Sequence, residues 1–351
     1  MEKKVFKWAL TILILFILLI AAVVVATAIG PASISVDKVA MIILSSVVSK
    51  VPVLNDHVHI AKTWSSGEES IIMLVRLPRV LLALLVGASL AVAGVAAQAI
   101  FKNPMADPYI LGISSGAAMG ASLAVVLGTG AITGSLQIGA FAGSILAAFL
   151  VFFIARTGNK IPVETLILSG VAIAAFFAAI NSFMMYISGN SLQRIVFWAM
   201  GAFWNAGWND IFLVTPFAVL GTIIILAFSR DLNVLLLGDE SAVHLGTNVG
   251  RLKIGILAVI SLIAAAAVSV SGIIGFVGLI IPHMMRIIVG PDHRILIPAS
   301  LLMGGMFMVT ADTFSRMVIQ PTELPVGIVT ALLGAPFFVY LLLRKKKTVR
   351  G

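Results

Sequence analysis

The chain has 351 residues, of which 60% are apolar and only 11% charged, and its mean hydropathy is +1.15. A soluble domain carries roughly 25% charged residues, so this composition excludes one and describes a polytopic membrane protein with a single transmembrane domain over 1–351. The absence of cysteine excludes disulfides, thiolate metal sites and a cysteine nucleophile. The net charge of +9 is scattered over loops and tail rather than gathered on a patch, which argues against a nucleic-acid partner.

The first apolar run, Trp8 to Ile29, follows Lys3, Lys4 and Lys7. Ala26-Thr27-Ala28 imitates a signal-peptidase site, but signal h-regions run about 7–15 residues and this run is longer. It reads as an uncleaved first helix over 7–29. Nine more apolar runs follow, at 77–99, 111–128, 134–155, 164–187, 209–228, 252–270, 276–290, 295–314 and 325–343. Each approaches the roughly 20 apolar residues a spanning helix needs. Open sheet edges are not tolerated in lipid, so the expected fold is all-α with about ten transmembrane helices. With the N-terminus inside, 16 of the 23 Lys and Arg residues fall on the inner side. The bias predicts N-in and C-in. Arg76, Arg79 and Arg316 then stand outside, against the trend.

The outer segment 30–75 contains an amphipathic patch (Val36 to Val51) and a polar part. Its Asp56-His57-Val58-His59 is a weak metal signal, because a site needs three or four ligands and a second shell. His244, His283 and His293 are isolated from one another, no H-E-x-x-H occurs, and no metal site is expected. In RLPR at 76–79, Pro78 suits a first helical turn, where no backbone donor is missed, and the arginines can snorkel to the interface. Lys102 to Pro108 is a turn between spans, since two prolines over five residues prevent a continuous helix. Asn103 can cap that turn through backbone hydrogen bonds.

Gly112, Gly116 and Gly120 share one helix face and allow a second backbone to approach. GISSG at 112–116 also matches a nucleophile elbow. That motif requires a strand-turn-helix context, so packing is the reading and no catalytic residue is expected. No G-x-x-x-x-G-K-[ST] occurs, so an ATP-driven process would need its ATPase on another polypeptide. Asn190 to Asp210 carries Trp198, Trp204 and Trp208, placed at the outer interface. The largest cytoplasmic loop, 229–253, carries Gly238, Asp239, Glu240, Ser241, Ala242, Leu245 and Gly246. Asp239 and Glu240 favour a helix start, Ala242 and Leu245 would share a face, and Gly246 can end the helix in the left-handed conformation. A short exposed amphipathic helix suggests a partner surface; lying on the membrane is the alternative. Gly272, Gly275 and Gly278 lead into Ile281-Pro282-His283, the kind of break where transporter pathways form.

Together these blocks resemble the FecCD-type permease subunits of ABC importers for vitamin B12, ferric siderophores and haem. The matching blocks are RLPR at 76–79, GASLAVAGVAAQ at 87–98, NPMADPYILGISSGA at 103–117, LILSGVAI at 166–173, LGDESAVHLG at 237–246, GFVGLIIPHMMR at 275–286 and ELPVGIVTALLGAPFFVYLL at 323–342. They make 76–343 the core permease, multi-pass in the cell membrane. The resemblance implies a homodimer surrounded by lipid, an inverted repeat of helices two to five and seven to ten, two cytoplasmic ATPase subunits and an extracellular or periplasmic binding protein. ATP and Mg would sit on the ATPase, leaving this chain without a cofactor or enzymatic site. It also implies roles: binding-protein docking for Arg76, Arg79 and Arg316, ATPase coupling for 238–246, and a cytoplasmic gate of Asn103 and Met105 facing Val163 and Glu164. Glu164 departs from the small hydroxylated residue expected there. The cargo expected first is a ferric siderophore, then cobalamin or haem. A secondary transporter is the rival; it would want ionisable relays inside spans, and only Asp312, Arg286 and Glu164 come near.

Overall fold

The structure, a computed structural model, describes residues 2–50, 60–129, 132, 134–158, 161–319 and 321–350. No β-strand forms among the described residues. The helices are α1 (Glu2–Ala28), α2 (Val36–Lys50), α3 (Ser66–Ile100), α4 (Ile113–Val126), α5 (Ser135–Ala155) and α6 (Val163–Ile187). They continue as α7 (Leu192–Ala199), α8 (Trp208–Ala227), α9 (Ser229–Leu235), α10 (Asp239–His244) and α11 (Val249–Ser271), then α12 (Val277–Val289), α13 (His293–Met317) and α14 (Val326–Arg350). Among the described residues, seven helices are long and apolar enough to cross a membrane: α1, α3, α5, α6, α8, α11 and α13. The shorter apolar helices α4, α12 and the Val326–Tyr340 part of α14 complete the ten expected spans.

The hub is α3, which packs against α8, α11, α12 and α13. Small residues make this possible. A Cβ on Gly94 would land on the Gly278 carbonyl of α12, and one on Gly87 on the Gly304 carbonyl of α13. The same device joins α4 to α5, where Gly116 and Gly120 face Gly143 and Gly139. The glycine face expected from the sequence is thus a packing seam. Gly112 stands apart from it, at φ +73° as the left-handed residue that starts α4. The short spans α4 (14 residues) and α12 (13 residues) occupy equivalent places in the two halves of the chain. Each starts from a left-handed residue, Gly112 or Phe276.

Breaks in the helices are closed by side chains. Residues Ile71–Arg76 of α3 are π-helical, and the Leu77 N–H reaches back to the Ile72 carbonyl. By that spacing the Met73 carbonyl should receive an N–H from residue 78, but Pro78 has none. The Trp208 indole Nε1 donates to it instead, at 2.9 Å. Pro282 likewise leaves the Gly278 carbonyl without its helical donor. The buried Gln98 amide of α3 lies 3.5 Å from that oxygen and 3.1 Å from the Leu279 oxygen. The outer segment folds as α2 and a short capped turn, with Ile34, Val39, Ile42, Trp64 and Ile72 forming a satellite core. His57 and His59 lie outside the described residues.

Gly94→Val forces a branched side chain into the α3–α12 seam. Overpacking of this kind costs about 1–3 kcal/mol or more, so its thermal midpoint in detergent should drop. Gly255→Ala meets nothing within 4 Å and replaces the poorer helix former, so its midpoint should equal or exceed wild type.

Candidate functional site

At the outer ends of α3 and α13, the three arginines singled out in the sequence share one buried cluster. Arg79 grips Asp312 with Nε and Nη2, at 2.8 Å for the shortest contact, and Glu323 with Nη1 at 2.8 Å. Arg316 brings its Nε to 3.2 Å from the second Asp312 oxygen. It also donates to the Ile29 and Ala26 carbonyls at 3.1 and 3.2 Å. Arg76, only 5% exposed, donates to the Ala28 carbonyl at 2.8 Å and to those of Thr27 and Ala32.

A helix leaves its last four carbonyls without intrahelical partners, and its C-terminus attracts cations. Two guanidinium groups reaching in from α3 and α13 meet both needs for α1. Gly30 leaves the room, since a Cβ there would strike the Arg76 guanidinium. These guanidinium groups therefore face the interior, which the sequence alone did not indicate. Their carboxylate partners carried a weak signal: Glu323 opens the ELPVG block, and Asp312 is the one acid inside its span. With two guanidiniums on it, Asp312 is an ion-pair anchor in this structure.

On the inner side, α10 follows Gly238 at φ +115° and ends at Gly246, φ +85°. The Thr247 N–H returns to the Ala242 carbonyl at 3.0 Å, which closes the left-handed cap. The sequence placed Ala242 and Leu245 on one face, but the helix stops before Leu245. Ala242 is fully buried, whereas Val243 and Leu245 are 60% and 63% exposed. Glu240 is also exposed. Asp239 is held by two lysines: Lys102 Nζ on Oδ1 at 2.5 Å and Lys253 Nζ on Oδ2 at 2.6 Å. Partial burial pushes the Asp239 carboxyl up, but those hydrogen bonds outweigh it and hold the group below the usual carboxylate range.

Asn103 caps its own turn, its Oδ1 accepting the Met105 N–H at 2.9 Å. Met105 lines a narrow crevice with Pro104, Ile280, His283 and Phe337. Val163 instead lines a cleft of about 830 Å3 together with Asp239, Val243, His244 and Lys253. Glu164 is exposed and lines neither. The two halves of the expected gate thus line different cavities within one chain. The cleft links α6 to the coupling loop, a neighbourhood that spacing in sequence did not reveal. No group of three metal-ligating side chains occurs among the described residues.

Just beyond the Asn103–Met105 turn, Asp107 caps the 3-10 segment Pro108–Leu111 by accepting the Tyr109 N–H at 2.8 Å. Burial pushes its carboxyl up to about 6, only partly opposed by that hydrogen bond.

Ten apolar spans with a protruding inner helix define a polytopic membrane domain. The model of the FecCD transport family matches residues 9–344, and the chain belongs to that family. Over 350 residues it is 44% identical to the cobalamin import system permease protein of Halobacterium salinarum, covering 93% of this chain and 94% of that one. It is 41% identical to the hemin transport system permease protein of Yersinia pestis over 286 residues, 79% of this chain and 84% of the relative. A solved metal-chelate type ABC transporter in an inward-facing conformation superposes with a TM-score of 0.81 at 33% identity, covering 95% of this chain and 98% of that one. The protein is a permease component of an ABC importer.

Arg76→Ala strips three carbonyls of a charged donor in a buried setting. Leaving a buried acceptor unpaired costs about 1–3 kcal/mol, so the thermal midpoint in detergent should fall. For Asp107 the folded protein holds its proton more tightly than the unfolded chain. Stability therefore falls as pH rises from about 3.8 to about 6. Asp107→Asn keeps an acceptor for Tyr109 and should flatten that part of the midpoint-versus-pH curve.

Proposed function

We propose that two copies of this chain form the pathway of an importer that carries a bulky metal chelate inward by alternating access. Two cytoplasmic ATPase subunits would bind ATP and Mg and supply the driving force. A binding protein on the outer side would deliver the cargo. One observation carries this reading: α10 holds Val243 and Leu245 out from the cytoplasmic loop of a chain that has no nucleotide-binding loop of its own. Small apolar side chains on a capped turn of helix suit a groove on a second protein.

The second copy would cover α6, on which only Leu166, Ser169, Gly170 and Phe177 are buried. The gate would then form between subunits, Asn103 and Met105 of each copy near the Val163 and Glu164 turns at the dimer axis. Docking of the binding protein is proposed for the outer cluster. Three guanidiniums face two carboxylates there, so one positive charge remains uncompensated. Glu323 is its most exposed carboxylate, at 33% against 1% for Asp312. An acidic side chain on the arriving protein would compete with Glu323 for Arg79. Such contacts steer encounter more than they add affinity.

A ferric siderophore fits the breadth of the family, whose relatives include the iron(3+)-hydroxamate permease of Bacillus subtilis at 39% identity over 293 residues. Cobalamin is favoured by a different observation. The match to the Halobacterium salinarum cobalamin permease covers 93% of the chain, against 80% for the hydroxamate permease.

Val243→Asp combined with Leu245→Asp should abolish co-purification with the ATPase subunits and any ATP-driven uptake, while the permease itself stays folded. A double variant that still holds its ATPase would remove the coupling role. Uptake of cyanocobalamin or a ferric hydroxamate by the permease alone, driven by an ion gradient, would establish the rival secondary transporter.

A further inference from the structure

Lys102 holds φ +49°, and Phe276 is its only non-glycine companion in the left-handed region among the described residues. Glycine adopts that backbone freely, whereas an ordinary side chain is strained there. The lysine stands where glycine would be the easier residue, and its ammonium is used. It meets one oxygen of Asp239, while Lys253 takes the other.

The three residues come from three elements. Lys102 begins the turn that carries Asn103 and Met105, Asp239 is the first residue of α10, and Lys253 lies in the first turns of α11. The ammonium of Lys253 is nearly buried, at 9% side-chain exposure, whereas Asp239 is 48% exposed. A single exposed pair would be a weak contact. A carboxylate clamped from both sides, once by a buried lysine, has little freedom to turn away from either.

We propose that the Lys102–Asp239–Lys253 clamp is the link that passes movement of the coupling helix to the gate turn and to α11. Lys102 and Lys253 are positioning residues for transport; neither touches cargo or nucleotide. The inference rests on the importer reading above. The rest of α10 does not offer the same route. Ala242 gives it a small apolar foot, and α9 is tied elsewhere, through Asn233 to Asp292 at 2.9 Å and to the His293 N–H at 2.9 Å. The clamp alone joins α10 to the turn after α3 by a side-chain hydrogen bond among the described residues.

The strained backbone of Lys102 makes the inference testable, because stability and coupling should move in opposite directions. The full complex of permease pair, ATPase subunits and binding protein is reconstituted in liposomes. Uptake of cyanocobalamin and of a ferric hydroxamate is measured per ATP hydrolysed. Lys102→Gly relieves the strain and cuts the link. Its thermal midpoint should equal or exceed wild type, while cargo moved per ATP falls about five- to tenfold, the low range of ordinary coupling energies. Lys102→Arg should restore the ratio, and Lys253→Gln should lower it. An unchanged ratio in Lys102→Gly overturns the proposal. So does a fall in midpoint with uptake and hydrolysis reduced in parallel, the mark of simple adhesion. If wild type moves neither of these compounds, nor haem, with ATP, the chelate-import reading itself fails and this inference fails with it.

Discussion

Arg76 and Arg316 between them take up the carbonyls of Ala26, Thr27, Ala28, Ile29 and Ala32. This is the local form of the constraint under which the whole protein is built. Next to lipid, a carbonyl released at a helix end or by a proline finds no water and must find a protein donor. The same demand explains the Trp208 indole on the Met73 carbonyl and the Gln98 amide beneath Pro282. Each of these three breaks is bridged by a polar side chain from a neighbouring helix. These bridges join α1 to α3 and α13, α3 to α8, and α3 to α12. The polar network and the apolar core therefore brace the same hub.

Close packing supplies the rest. Lipid tails are as apolar as leucine, so burying side chains drives helix association weakly, and contact must come from fit. Glycines at 87, 94, 278 and 304 bring the α3, α12 and α13 backbones together. The faces of α1, α6 and α8 remain largely uncovered by the rest of the chain.

Against this rigid frame the cytoplasmic loop is held at two places of different character. Asn233 bonds α9 to the start of α13 through a partly buried network with the Asp292 carboxylate and the His293 N–H. Asp239 bonds α10 to the turn after α3 and to α11 through charges that are partly in water. The first resists rearrangement, because its loss would leave buried polar atoms unpaired. The second is open to water on its Lys102 side, at 34% exposure, and shielded on its Lys253 side, at 9%. A loop fixed at one end and ionically clasped at the other can pivot without unfolding.

The sequence by itself determined the ten spans, the packing role of Gly116 and Gly120, the left-handed stop at Gly246 and the family. The first three follow from periodicity, composition or local backbone geometry, which neighbouring residues fix, and the family from the resemblance of whole sequence blocks. It placed the three arginines at the outer ends of their helices but not in their surroundings. Arg76 meets Ala28 across 48 residues and Arg79 meets Asp312 across 233, and nothing local records such pairs. The same holds for Asp239 and Lys102, 137 residues apart. It also holds for Met105 and Val163, which the family resemblance implied as partners and which line different cavities within one chain. Whether a charge faces a partner or its own chain depends on where distant helices end. In this protein that was decided by the tertiary fold, which sets the end of α1 against the outer ends of α3 and α13.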